Sequence, residues 1–301
     1  MSNSNKKVKT GAAGRADGSF SVDGLGITAV LLAIIVIFSF VNPRFLSTAN
    51  FLNILSQAAP FIIMAVGMTF VITAAGIDLS VGSILALSTV IGFEFMSSGG
   101  SPVVGVMIII IVAIALGLLN GVLVAYLAIP PFIATLATMV SLRGLALLHS
   151  AGTMHFGLPE SVAFIGQGEI LGIPMSVLVA LFSALFGYFL LNFTQFGIYC
   201  RALGGNKEAL RLTGVSVKLV EVLVYGFMGL MVGLGGLVMI ARIDSTQATI
   251  GTASEIHVIA AVIIGGTSLF GGKGSIYGSV AGAVLLSMVA NALVIGGADF
   301  F

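Results

Sequence analysis

The sequence predicts an all-α polytopic transmembrane bundle of about nine spans. Three observations carry that prediction. First, 58% of the residues are hydrophobic and only 8% charged, against about 25% charged in a soluble domain. So few charges cannot cover a water-facing surface, and mean hydropathy is +1.19. Second, the apolar residues fall in runs of membrane-spanning length, ~17–25 residues for a ~30 Å hydrocarbon core. Third, 40 glycines suit helices whose backbones approach closely. The net charge of +1 gives no footprint for nucleic acid, so membrane lipid is the expected surroundings.

Residues 1–23 are polar and basic, with Lys6, Lys7, Lys9 and Arg15. They read as a flexible cytoplasmic tail ahead of a permease domain over 24–301. The first apolar run lacks the A-x-A ending of a cleaved signal peptide. The runs lie near 25–41, 58–75, 79–97, 103–128, 132–148, 174–193, 219–241, 256–271 and 276–297. The second and third are separated only by Gly76-Ile77-Asp78, so they form a hairpin or one broken helix.

Threading the runs from a cytoplasmic N-terminus places Lys6, Lys7, Lys9, Arg15, Arg201, Lys207, Arg211, Lys218 and Lys273 inside. Arg44, Arg143 and Arg242 fall outside or at the outer boundary. This agrees with the positive-inside rule, as does the lack of Lys and Arg between His149 and Ile173. Small residues recur four apart at Gly117/Gly121, Gly229/Gly233 and Gly278/Gly282, the spacing of close helix contacts.

The loop over 194–218 is longer than a connector needs. It carries Arg201, Lys207, Arg211 and Lys218, and it punctuates its own short helix over 207–213. Asn206 stands at the N-cap, Glu208 in the first turn and Gly214 at the stop. A capped helix on the inner face reads as a docking element for a cytoplasmic partner; a stop-transfer flank is the alternative. Cys200, the single cysteine, excludes an internal disulfide and implies a reduced, cytoplasmic thiol.

Two interruptions carry the polar chemistry. In GIDLSVGS (76–83), Asp78 is the one acid flanked on both sides by membrane-length apolar sequence, and Asp78 and Ser80 are candidate N-caps of the next helix. In GGTSLFGGKGS (265–275), Thr267 and Ser268 are the hydroxyl residues. Paired breaks in corresponding halves point to a transport pathway, and an acid at that depth is costly unless it caps a helix or lines water. A structural cap and a pathway residue are both open readings of Asp78. The second stretch fails as a phosphate loop, since Gly274 follows Lys273 and no Gly stands five before Gly272. The chain therefore hydrolyses no ATP itself. His149 and His155, six apart with Glu160 nearby, lack metal-site spacing, and His257 beside Glu255 reads as a satisfied boundary residue, with a proton relay as the alternative. No cofactor, metal or catalytic constellation is expected.

The chain resembles the permease subunits of bacterial ABC importers for monosaccharides, the ribose, xylose and galactose group, within the branched-chain amino-acid permease superfamily. Four stretches carry the resemblance: AVGMTFVITAAGIDLSVGS (65–83), PFIATLATMVSLRG (131–144), ALGGNKEALRLTGV (202–215) and AAVIIGGTSLFGGKGSIYGSVAGA (260–283). The Gly-Ile-Asp-Leu-Ser-Val-Gly run at 76–82 points to the sugar branch. The resemblance implies that the short helix docks in a groove of a cytoplasmic ATPase subunit, with Gly204, Gly205, Asn206, Glu208, Ala209 and Gly214 forming the coupling loop. It also implies a periplasmic sugar-binding protein, a second permease copy completing the pore, and a bacterial inner-membrane location. Asp78, Ser80, Thr267 and Ser268 are then candidates for the translocation pathway.

Two features depart from the family. His257 stands where an Asp is usual, and the family usually continues past Gly296 into a tenth span. The expected function is ATP-driven monosaccharide import by alternating access. An amino-acid or nucleoside importer permease is the runner-up within the class, and a gradient-driven secondary transporter lies outside it.

Overall fold

The structure is a computed structural model that describes residues 22–296. The expected tail falls almost wholly outside those residues, as do residues 297–301. Twelve helices make up most of the described chain. They are α1 (Val22–Val41), α2 (Thr48–Thr73), α3 (Val81–Ser97), α4 (Pro102–Ala125), α5 (Pro131–His149) and α6 (Glu160–Gln167). There follow α7 (Met175–Phe193), α8 (Gln195–Gly205), α9 (Lys207–Leu212), α10 (Val217–Ile243), α11 (Ser254–Ile264) and α12 (Ile276–Ile295).

Six of these are long and apolar enough to cross a membrane: α2, α4, α5, α7, α10 and α12. Three shorter apolar helices, Gly26–Phe40 within α1, α3 and α11, match the remaining apolar runs of the sequence. The chain is a multi-pass, all-α membrane protein.

Two boundaries differ from the sequence reading. The run expected over 256–271 is helical only to Ile264; the 11 residues of α11 rise ~16 Å, about half of a ~30 Å core. The glycine-rich turn at 265–275 ends it. Conversely, α2 begins at Thr48, ten residues before the expected 58, with Ser47 accepting a hydrogen bond from Asn50 N at 3.2 Å as its cap. Polar residues between Asn50 and Gln57 hide this helical start from a hydropathy reading. Pro60 lies inside the helix without ending it.

The apolar windows of α2 and α10 are 78% and 72% buried, against 22–28% for α4, α5 and α7. The first pair is therefore the spine of the subunit, and the others present their leucine, isoleucine and phenylalanine side chains outward to lipid. Small residues set the helix spacing. A Cβ at Gly117 would lie 2.9 Å from Gly229 Cα, and one at Gly121 would lie 2.7 Å from Val222 Cα. One at Gly229 would collide with Ala113 O. The pair α4–α10 is thus in backbone contact, as the four-residue spacing predicts. On α12, Gly278 and Gly282 face Gly265 and Ala261 in the same way. Gly229→Leu is expected to overpack this seam at a cost of about 1–3 kcal/mol; thermal unfolding in detergent would show it as a lowered Tm, and an unchanged midpoint would refute the contact.

The helices alternate between two ends. The near end carries 74–80, 126–130, the α7–α10 connection with α9, and 265–275. The far end carries 98–101, 150–174 and the start of 244–253; that last segment runs back along α3, with Thr246 Oγ1 3.2 Å from Thr89 Oγ1 and Gly251 O against Gly82. Arg201, Lys207, Arg211, Lys218 and Lys273 lie at the near end, and Arg44, Arg143 and Arg242 toward the far end. Two small antiparallel pairs close the far end: β1 (His155–Phe156) with β4 (Ser245–Thr246), and β2 (Glu169–Ile170) with β3 (Ile173–Pro174). Arg143 Nη1 holds the loop after β4 by donating to Ala248 O at 2.6 Å and Ile250 O at 2.8 Å.

Candidate functional site

The near end is assembled around α9. Asn206 breaks from α8 with φ −158°, and its Oδ1 accepts from Ala209 N at 2.9 Å. Gly214 has φ +82°, the left-handed conformation that ends a helix at low cost for glycine. The helix runs to Leu212 with Thr213 as its C-cap, one residue short of the expected end. Glu208 accepts from Arg211 Nη2 at 2.6 Å and from Nε at 2.9 Å. That guanidinium holds the Glu208 carboxyl below the usual carboxylate range. Leu210 is the one side chain of α9 that is buried; Gly205 through Ala209 are exposed. The helix is anchored at one point and presents the rest of its surface.

Gly204 sits where both breaks meet. A Cβ there would strike Thr73 O, at the end of α2, and would lie 2.6 Å from Gly272 N and 3.0 Å from Gly271 Cα. Gly272 N itself donates to Thr73 O at 2.9 Å. The loop before α9 therefore touches the end of α2 and the 265–275 turn together. A second link runs from Lys207, whose Nζ reaches Glu221 Oε1 on α10 at 2.5 Å. One turn further, Tyr225 OH donates to Ile77 O at 3.2 Å, inside the first break.

In that break Asp78 is fully buried. Its Oδ1 accepts from Ser80 N at 2.9 Å and Ser80 Oγ at 2.6 Å. Ser80 occupies the N-cap position of α3, but its hydroxyl is spent on Asp78 and makes no capping bond. Asn120 of α4 donates from Nδ2 to Ser80 Oγ at 2.7 Å. Asp78 Oδ2, Asn120 Oδ1 and Ser83 Oγ are buried without partners. Nearby, Gly76, Pro131, Glu221 and Tyr225 help line a cavity of about 40 Å³, far below the ~300–1,000 Å³ of small-ligand sites.

At the second break, Thr267 Oγ1 accepts from Ser275 N at 3.2 Å, Ser268 N donates to Lys273 O at 3.1 Å, and Ser275 Oγ caps α12 by accepting from Gly278 N at 3.1 Å. Among the described residues no hydrogen bond joins Thr267 or Ser268 to Asp78 or Ser80. The two candidate pairs lie each in its own turn.

The histidines are placed differently from the sequence reading. The carboxylate beside His149 and His155 is Glu94 at the end of α3, at 2.9 Å and 3.1 Å, and not Glu160. His257 stacks on Phe61 with centroids 4.3 Å apart, and its Nε2 is buried without a partner. Among the described residues no group of three His, Cys, Asp or Glu is placed to hold a metal ion.

Sequence reasoning missed Asn120, Glu221, Tyr225 and the anchoring role of Arg143. Asn120 carried a usable signal, since it is a lone polar residue within the apolar α4 and such residues mark function or tight pairing.

Comparison with known proteins agrees with this architecture. Residues 50–299 match the family described as branched-chain amino acid transport system, permease component. The chain is 39% identical over 280 residues to a ribose import permease protein of Haemophilus influenzae, covering 92% of this chain and 86% of that one. It is 40% identical over 279 residues to a ribose import permease protein of Bacillus subtilis, covering 92% and 87%. It is 36% identical over 291 residues to a D-allose transport system permease protein of Escherichia coli, covering 95% and 89%. No solved structure matches the chain.

Proposed function

The chain belongs to the branched-chain amino-acid transport permease family, and on that premise we propose that it is the membrane permease of an ATP-driven importer carrying a monosaccharide. The family description alone leaves amino acid and sugar open. The relatives favour sugar, since they are named for ribose, allose, fructose and galactose import. The structural observation that carries the reading is the capped, outward-facing α9, joined through Gly204 to both helix breaks.

In this reading the near end is cytoplasmic, with the N-terminus on the same side, and the protein lies in a bacterial inner membrane. A separate ATPase subunit receives α9 in a groove and performs the hydrolysis. Gly204, Gly205, Asn206, Glu208, Ala209 and Gly214 form the coupling loop. A periplasmic sugar-binding protein docks at the far end, and a second permease copy completes the pore. Asp78 and Ser80, with Thr267 and Ser268 in the second turn, bound the translocation pathway at its cytoplasmic end. Closure of the ATPase on nucleotide displaces α9. Gly204 and the Lys207–Glu221 pair pass that displacement to the breaks, and the pathway changes its open side. A secondary transporter would need several intramembrane acids paired with bases; Asp78 is bonded instead to the neutral Ser80, whose hydroxyl in turn accepts from Asn120.

The test is uptake of labelled D-ribose, D-allose, D-galactose and leucine into cells expressing the chain with its ATPase and binding protein. Sugar uptake should fall when arsenate depletes ATP and persist when the proton gradient is collapsed; uptake that follows the gradient refutes the reading. Glu208→Lys replaces the exposed Glu208–Arg211 pair by two adjacent cations. It should cut ATP-driven uptake about tenfold or more, ~1.4 kcal/mol or more of lost coupling, while the amount of permease in the membrane is unchanged.

A further inference from the structure

The polar start of α2 has no role in the coupling machinery, which lies at the other end of this 26-residue helix. Asn50, Asn53 and Gln57 follow one another at three- and four-residue spacing and so share one helix face. With Asn291 of α12, and beside Ala290 and Val294, they line a groove of about 440 Å³ at the far end. The volume lies within the ~300–1,000 Å³ of small-molecule sites. No charged side chain lines it.

These amides are not explained as structural links. Asn291 is only 7% exposed, yet its Oδ1 has no hydrogen-bond partner. Asn50 Nδ2 donates to Phe45 O at 3.1 Å, but Asn53 and Gln57 have no protein partner among the described residues. Unpaired carboxamides are costly against lipid, which argues that this face meets water, solute or protein. A carboxamide carries both donor and acceptor with no net charge. Four around one groove, beside a small apolar wall, suit a neutral molecule rich in hydroxyls and CH faces, and offer nothing to an ammonium or a carboxylate.

We propose that this groove is a monosaccharide-binding subsite at the far mouth of the pathway, which Asn53, Gln57 and Asn291 contact directly. The inference rests on the importer reading. A sugar released from its binding protein meets these amides first, and the unpaired Asn291 oxygen accepts from one of its hydroxyls.

The test uses the full chain with its ATPase and binding protein. Cys200 is buried and burial pushes its thiol up to about 12, so it gives little background to thiol reagents. Asn53→Cys should react with a membrane-impermeant methanethiosulfonate, and D-ribose, D-allose or D-galactose, but not leucine, should slow the reaction. Asn291→Leu should lower ATP-driven sugar uptake about 2–10-fold, the worth of one hydrogen bond of ~0.5–1.5 kcal/mol. Gln57→Leu, on the partly exposed side of the groove, repeats the uptake test should Asn291→Leu misfold. If the unaltered permease imports sugar while Asn53→Cys is unreactive or no sugar protects it, the subsite is refuted and the importer reading stands. Spontaneous disulfide linkage of two Asn53→Cys chains, insensitive to sugar, would assign the groove to a second copy and also refute the subsite. Absence of any sugar uptake by the unaltered permease removes both.

Discussion

Gly204→Val is expected to destabilise the permease and to lower ATP-driven uptake at least tenfold, whereas Gly205→Ala leaves stability near that of the unaltered chain. The two glycines are adjacent, and composition cannot distinguish them. A Cβ at Gly204 drives into Thr73 O, which already accepts the Gly272 N hydrogen bond, and crowds Gly271 Cα at 3.0 Å. Backbone cannot swing aside as a side chain does, so the seam between α2, α8 and the 265–275 turn must open. Overpacking of this kind costs about 1–3 kcal/mol, and the lost hydrogen bond adds about 1 kcal/mol. At Gly205 a Cβ meets nothing within 4 Å, so its effect on stability should stay within about 0.5 kcal/mol. Paired Tm and uptake measurements on the two variants decide the matter; equal stability would show that Gly204 is not wedged between the breaks.

The second large effect is expected at Lys207 and Glu221. Lys207 keeps 60% of its side-chain exposure and Glu221 only 12%, so the pair is asymmetric. The attraction itself is worth little at such exposure, about 0–1 kcal/mol. Removing the cation is worse, because it strands a mostly buried carboxylate whose Oε2 already lacks a partner, at about 1–3 kcal/mol. Lys207→Met should therefore damage uptake more than Glu221→Gln, and the double variant should recover part of the loss. Lys207→Glu should cut uptake about tenfold or more by forcing α9 off α10, and Lys207→Glu with Glu221→Lys should restore it in part. Strict additivity in that cycle would show that the two residues do not act together. The contact between Tyr225 and Ile77 makes α10 a continuous support from α9 to the first break.

The sequence reading located the helices because long apolar runs and four-residue glycine spacing are local signals. It also found the caps of α9, since Asn206 and Gly214 act within a turn or two of their own positions. It erred where polar residues sit on a helix, as at Asn50–Gln57, because hydropathy treats a polar helical face as loop. It could not pair Glu94 with His149 and His155, because that carboxylate stands on a different helix.

Local patterns in the chain thus settled the membrane class, the order of the apolar helices, the two breaks and the existence of a short capped helix after Asn206. The tertiary structure decided what touches what. Ser80 with Asn120 are 40 residues apart, and Lys207 with Glu221 are 14 apart; Gly204 meets Thr73 and Gly272 from two other elements. The physical reason is that periodicity and capping report each segment's own hydrogen bonds and its apolar face. Which faces meet is fixed by close packing among all the helices at once, and no single segment encodes it.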